Sequence, residues 1–296
     1  MIQQKQFFSN LEEFLNSSLQ SHQVLHIHFE SQIGYESASV LGSSIEKCTH
    51  LSNLTLYLRG SKIDAKGASG LVSGLGKCTN LTKLTLILDG NQISEKGASD
   101  LGISLVGCTN LSNLTLDLTN NQINEKGALV LGSGLGNCTK LSNLTLDLRY
   151  NLIGKKGASD LGSGLGKCTN LSNLKLYLRK NQIDTEGALG LDFGLGNCTN
   201  LSNLTLDLSY NQIDAKVGSG LGSSLSKCTN LSNLILDLRG NNQIDDIFVS
   251  SLGSAFGKCS KISNLTLYVT QNESQQKKFK SKCLKSKRLV ALKLNY

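Results

Sequence analysis

Seven cysteines, at positions 48, 78, 108, 138, 168, 198 and 228, stand 30 residues apart, and the stretch CTNLSNLTLDL occurs unchanged at 108–118 and 198–208. Self-similarity at a period of roughly 20 to 50 residues marks a stacked array, in which each unit buries its apolar face only against its neighbours. The period runs through nearly all of the 296 residues. One elongated array is therefore expected, in place of the one or two globular domains that length alone suggests.

One unit, 111–138, shows what is stacked. Leu114, Leu116 and Leu118 alternate with Thr115 and Asp117, the period-2 signature of a strand with one buried face. Asn121 and Ile123 follow at a turn. The next slot holds Asp64, Ser94, Asn124, Asp184 or Asp214, side chains that accept from free N–H groups at a helix start, with Gly154 as the exception. Ala128, Leu131 and Leu135 then fall at helical spacing, and Cys138 closes the unit. Each unit reads as strand, turn, helix and return.

The pattern Leu-x-Leu-x-x-Asn-x-Ile, followed by a cap, Gly-Ala and a Leu-rich helix, resembles the leucine-rich repeat of the ribonuclease-inhibitor-like class. The Cys-x-x-Leu return is similar to the cysteine-containing repeats found behind F-box motifs. The resemblance covers roughly residues 24–296. It implies an α/β leucine-rich-repeat solenoid, a curved arc with parallel strands on the concave face and helices on the convex face. These units are two residues longer in the strand than the usual pattern, so extended strands are expected.

Ten strands are expected, near 24–29, 54–58, 84–88, 114–118, 144–148, 174–178, 204–208, 234–238, 265–269 and 291–294. At about 4.8 Å per strand they make a sheet on the order of 45 Å across, a width that suits a protein-sized ligand. Residues 1–23 read as an N-terminal capping helix, with Ser9 and Glu12 as a capping box; 24–272 read as the array, and 273–296 as a basic capping repeat. The glycines of LGSGLG and its relatives oppose helix formation, so short helices and a softer convex side are expected.

The cysteines invite a chemical reading. No Cys-x-x-Cys pair occurs, and thiols stacked in parallel do not converge as tetrahedral metal ligation requires. Adjacent slots lie within disulfide range, but their side chains point side by side. The preferred reading is a small buried hydrophobe at each return. Cys259 follows one extra residue in LRGNNQI; aligned on its strand, the last unit puts Phe279 on Leu131, Cys283 on Leu135 and Ser286 on Cys138. A thiol that alternates with leucine is packing material. The turn asparagines (Asn91, Asn121, Asn151, Asn181, Asn211, Asn272), with Ser31 and Ser61 in the first two units, read as a structural ladder bonding neighbouring backbone.

Slots that differ between units are free for a partner. Outward strand positions form a Thr column broken by Lys175 and Ile235, and a second column of Tyr57, Ile87, Asp117, Asp147, Tyr177, Asp207, Asp237 and Tyr268. A third holds Arg59, Asp89, Thr119, Arg149, Arg179, Ser209 and Arg239, with Tyr150, Lys180 and Tyr210 just beyond it. Asp117 beside Asp147 is a like-charge pair that Arg149 can offset. Tyr and Arg dominate interface hot spots. The candidate protein-binding patch is therefore Tyr57, Asp147, Arg149, Tyr150, Tyr177, Arg179, Asp207, Tyr210, Asp237 and Arg239.

Other functions find less support. No dinucleotide or phosphate loop and no Ser/His/Asp set occurs, so no enzyme activity and no cofactor are expected. His26 and His28 alternate on one strand near His50 without an evident third metal ligand. Residues 274–296 hold eight basic side chains and no acid, while the other 273 balance at 22 against 22; scarce aromatics around this tail argue for a solvated cap rather than nucleic-acid binding. No apolar run suits a signal peptide or a membrane span, which points to the cytoplasm and makes the Asn-Leu-Ser/Thr sequons by-products of the repeat. The leading expectation is a non-enzymatic protein-interaction scaffold with an unidentified protein partner. The alternatives are a regulatory region of a protein kinase or small-GTPase system and a structural cytoskeletal component.

Overall fold

A computed structural model describes residues 5–29, 32–241, 248, 251–252, 262–269 and 291–295. Within them one open sheet of eleven parallel strands follows chain order, each strand bonded to the next in sequence. The strands are β1 (Lys5–Phe8), β2 (Val24–His28), β3 (Asn53–Tyr57), β4 (Lys83–Ile87), β5 (Asn113–Asp117), β6 (Asn143–Asp147), β7 (Asn173–Tyr177), β8 (Asn203–Asp207), β9 (Asn233–Asp237), β10 (Asn264–Tyr268) and β11 (Ala291–Asn295). All ten expected strands are present. Most begin one residue early, because Asn53 and its equivalents already sit in the ladder. Pairing also continues past the strand ends: Leu58 N–H donates to Ile87 O at 2.8 Å and Gly60 N–H to Asp89 O at 2.9 Å, so the strands are extended.

Residues 1–23 hold more than a helix. The short β1 pairs with β2 and forms the sheet edge, ahead of α1 (Leu11–Leu15) and a 3-10 turn at Leu19–Ser21. The helix is capped by Asn10, whose side chain accepts from Glu13 N–H at 2.8 Å, rather than by a Ser9/Glu12 box. At the far end Leu292 and Leu294 stand opposite Leu265 and Leu267, as the strand alignment of the last unit requires. Cys259, Phe279, Cys283, Ser286, Asn272, Ser31 and the basic segment before β11 lie outside the described residues.

Among the described residues, seven longer helices pack behind the strands: α2 (Gly34–Ile45), α3 (Ala65–Leu75), α4 (Ser94–Leu105), α5 (Glu125–Gly136), α6 (Gly154–Leu165), α7 (Thr185–Leu195) and α8 (Val217–Leu225). Six of them run 11 or 12 residues, three turns, so the glycines do not shorten them. The reason is contact between helix backbones. A Cβ on Gly74 would fall on the carbonyl oxygen of Gly42, and Gly134 stands so to Gly102, Gly164 to Gly132 and Gly194 to Gly162. The equivalent positions hold Val72 and Ser104 between α3 and α4, and Asp192 and Ser224 between α7 and α8. Asp192 is 1% exposed, its Oδ1 has no partner, and burial pushes its carboxyl up to about 7.

The turn between strand and helix takes two alternating forms. After β3, β5 and β7, Lys62, Gln122 and Gln182 take a positive φ two residues before the cap, and Asp64, Asn124 and Asp184 cap the helix through their side chains. After β2, β4 and β6, Gly34, Ser94 and Gly154 take the positive φ and themselves begin the helix. Ser94 is therefore not a cap. Along this stretch the turn repeats every two units, not every one.

Leu, Ile and Ala side chains between sheet and helices form one continuous buried core. The seven described cysteines belong to it, and the six from Cys48 to Cys198 are free thiols. Each from Cys78 to Cys228 also donates its S–H to a carbonyl of the preceding unit, as Cys168 does to Leu135 O at 3.3 Å. Burial pushes the thiols from Cys48 to Cys198 up to about 11 or 12, which leaves almost no nucleophilic thiolate near neutral pH. The turn asparagines form the expected ladder: Asn151 donates to Leu118 O at 3.0 Å and Leu148 O at 2.9 Å while accepting from Ile123 N–H at 2.9 Å. Asn241 supplies its next rung, donating to Leu208 O at 3.0 Å.

Candidate functional site

With Leu54, Leu56 and Leu58 buried, period 2 sends residues 53, 55, 57 and 59 of β3 and its extension to the open face, and likewise in every unit. The outermost column is one that sequence reasoning did not count on this face. From Asn113 to Asn264 its asparagines bond in series: Asn143 Nδ2 donates to Asn113 Oδ1 at 2.7 Å and Asn173 to Asn143 at 2.6 Å. Its position two residues before the Thr column is the signal that could have found it. The ladder spends its amides on itself, so the selective chemistry lies farther along the strands.

There the charges sort into closed and open groups. Arg149 binds the Asp147 carboxylate through both Nε and Nη2, at 2.9 and 2.6 Å, and Arg239 does the same to Asp237 at 3.0 and 2.5 Å. The paired carboxylates hold both guanidinium groups above the ordinary arginine value. Register sets Asp147 beside Asp117, and the Arg149 clamp answers that like-charge contact. Arg59 pairs with Asp89 at 2.9 Å; burial, and then the charge of Asp117, push the Asp89 carboxyl up. Asp207 accepts from Ser209 N–H at 2.9 Å and Ser209 Oγ at 2.6 Å.

The tyrosines organise the remaining cations. Arg149 lies 5.5 Å from the Tyr177 ring centre, Arg239 4.8 Å from Tyr268, and Arg179 4.1 Å from Tyr210 and 6.0 Å from Tyr150. Lys180 Nζ stands between the same two rings, 5.2 Å from Tyr150 and 5.8 Å from Tyr210. Among the described residues neither Arg179 nor Lys180 has an ion-pair partner, and Arg179 Nε is buried without an acceptor.

Backbone conformation singles out the same place. The residue closing each strand extension is left-handed: Gly60, Gly90, Asn120, Tyr150, Lys180, Tyr210 and Gly240 have φ between 54° and 69°. Gly and Asn accept that region readily, whereas other side chains there cost about 1 to 2 kcal/mol each. Three consecutive units thus carry Tyr, Lys and Tyr where the fold prefers Gly.

Eight residues of the expected patch stand at outward strand positions, and Tyr150 and Tyr210 close the strand extensions beside them. Asp147, Arg149 and Tyr177 form one contiguous group, and Tyr150, Arg179 and Tyr210 another. Asp207 stands beside Tyr177 in register, and Asp237 and Arg239 form a closed pair farther on. Tyr57 stands apart: it faces the His28 ring at 5.5 Å and borders a depression of about 480 Å³ that runs to Arg149 and Tyr150. Lys175, Lys180 and Tyr268 were left out of the patch, although they stand in the same columns.

Comparison with known proteins adds the following. The Leucine Rich repeat family profile matches residues 110–132, 140–162 and 200–221. No curated protein matches the chain. Similar solved structures include a protein from Bacteroides fragilis (13% identity, 97% of this chain and 69% of that one, TM-score 0.46). The actin-binding site 2 of leiomodin-1 is 19% identical over 48% of this chain and 78% of that one, with a TM-score of 0.37. A structure of the yeast Rad7–Elc1 complex is 16% identical over 91% and 78%, with a TM-score of 0.35. The matched units share their strand register and core with the unmatched units between and around them. The chain carries leucine-rich repeats, matched by the profile in three units and continued in the same register by the described units around them.

Proposed function

We propose that this protein is a non-catalytic interaction scaffold of the ribonuclease-inhibitor-like class that seats a polypeptide partner on the open, concave face of its sheet. One observation carries the reading: an open face of eleven strands, about 48 Å wide, on which the outward side chains vary while the inward leucines of β3 to β10 stay fixed. That width matches a protein segment, and the exposed Tyr57, Tyr150 and Tyr210 supply aromatic anchors beside arginines. The contact patch is Tyr57, Asp147, Arg149, Tyr150, Tyr177, Arg179, Asp207, Tyr210, Asp237 and Arg239. The cysteines support a place in the reducing cytoplasm, since the six from Cys48 to Cys198 are buried free thiols. Among the described residues no helix is long and apolar enough to cross a membrane.

The test is capture of partners from native cells by wild type, by Tyr177→Ala/Arg179→Ala, and by Ile103→Ser on the exposed helix side. Loss of partners in the first variant alone is expected. Equal recovery by that variant and wild type overturns the reading.

A further inference from the structure

Among the described residues, three cations without ion-pair partners gather on one strand and its extension, whereas Lys83 of β4 stands singly. Arg59, Arg149 and Arg239 are each closed by a carboxylate. Lys175, Arg179 and Lys180 have no ion-pair partner among the described residues. Lys175 is exposed between the neutral Thr145 and Thr205. Arg179 and Lys180 sit between the Tyr150 and Tyr210 rings. Lys175, Tyr177 and Arg179 point to the same side, and the two ends are about 13 Å apart, four residues of extended chain.

A backbone feature falls at the same spot. Left-handed non-glycine residues recur along the turns, Lys62, Ser94, Gln122 and Gln182 among them. At the position that closes the strand extension they are Tyr150, Lys180 and Tyr210, where the other four units hold Gly or Asn. Side chains kept in a costly conformation beside unpaired cations support a recognition role.

We propose that β7, with Tyr150 and Tyr210, docks an extended acidic peptide segment whose two carboxylates stand four residues apart. One meets Arg179 and Lys180; the other meets Lys175. The neighbouring carboxylates sharpen the preference. Asp147 and Asp207 flank Tyr177 on either side, so the peptide residue between the two acids is uncharged or basic. Asp147 is held by Arg149 and Asp207 by Ser209, which leaves the three cations free for the ligand. The proposal rests on the open-face reading and names the chemistry of its partner.

The experiment is fluorescence anisotropy of the full chain with labelled nine-residue probes. One carries Glu at i and i+4 around a central Tyr in a Gly/Ser frame. The second carries Lys at both places, the third has its Glu residues at i and i+2, and the fourth replaces the pair by a single phosphoserine. The first probe is expected to bind most tightly, with the Lys probe at least about tenfold weaker. Arg179→Gln is expected to weaken the first probe about tenfold and Lys175→Gln about threefold, while Lys83→Gln, which removes the same charge from β4, changes it less than about twofold. Arg179→Lys, a milder change to the strand, is expected to keep most of the binding.

Equal binding of Glu and Lys probes, equal effects of Arg179→Gln and Lys83→Gln, or binding of the phosphoserine probe alone each overturns the proposal. If the Glu probe fails while Tyr177→Ala/Arg179→Ala still loses its cellular partners, the acidic chemistry is wrong and the open face stands. If that variant also keeps its partners, both readings fall.

Discussion

The helix layer and the open face treat glycine in opposite ways. Helix interiors ordinarily disfavour it by about 1 kcal/mol against alanine, yet Gly42, Gly74, Gly102, Gly134 and Gly164 fill them. Left-handed turns favour it, yet Tyr150, Lys180 and Tyr210 replace it there. The first reversal is explained inside the fold, because each glycine meets the backbone of a neighbouring helix. Nothing in the packing demands the second, since the same fold closes the equivalent turns with Gly60, Gly90 and Gly240. Contact between helix backbones accounts for the first departure from local preference, and the proposed binding of a partner would account for the second.

The comparison breaks most easily on the helix side. Gly164→Ala should raise intrinsic helix propensity yet destabilise the protein by about 3 kcal/mol, because the new methyl would fall on the Gly132 carbonyl. Urea denaturation measures it, and a gain in stability would show that the helices are not held by backbone contact.

A smaller effect is expected where the glycine pair is already replaced. Asp192 lies buried between α7 and α8, with its carboxyl pushed up to about 7 from an ordinary value near 3.9. The folded state favours the protonated form, so this contribution is whole below about pH 4 and is lost as pH rises through about 7. The change from about 3.9 to about 7 corresponds to about 4 kcal/mol with solvent kept out, and water entering beside Oδ1 should reduce the loss to about 2 kcal/mol. Denaturation midpoints taken from pH 4 to pH 8 should fall for wild type more steeply than for Asp192→Asn. Parallel curves would place the carboxyl in contact with solvent.

Much of the fold was legible because leucine alternation fixes which face of each strand is buried, and the cysteine period fixes where each unit returns. What stayed hidden depended on contacts between units. The alternating turn has a period of two units, and in sequence it shows only as Ser94 and Gly154 between Asp64, Asn124 and Asp184. The edge strand Lys5–Phe8 lacks the leucine pattern and takes its order from β2. The columns of the open face were likewise readable from period 2. The clamp of Arg179 between two tyrosines was not, because it needs the left-handed backbone at Tyr150 and Tyr210 to aim their rings.

The smallest effect tests that clamp from the stability side. Tyr150→Gly removes a left-handed non-glycine residue at a position where Gly60, Gly90 and Gly240 are already accommodated. Relief of backbone strain contributes about 1 to 2 kcal/mol of stability. Greater freedom of the unfolded chain offsets up to about 1 kcal/mol of it. The ring is 43% exposed, so little buried area is lost with it. The net expectation is unchanged or slightly raised stability, by up to about 1 kcal/mol, together with weaker binding of the acidic probe. A substitution that leaves the fold intact and removes binding is what separates a side chain held for a partner from one held for the fold. If Tyr150→Gly instead destabilises the protein by about 1 kcal/mol or more, the tyrosine is part of the scaffold, and the two glycine reversals have a single structural cause.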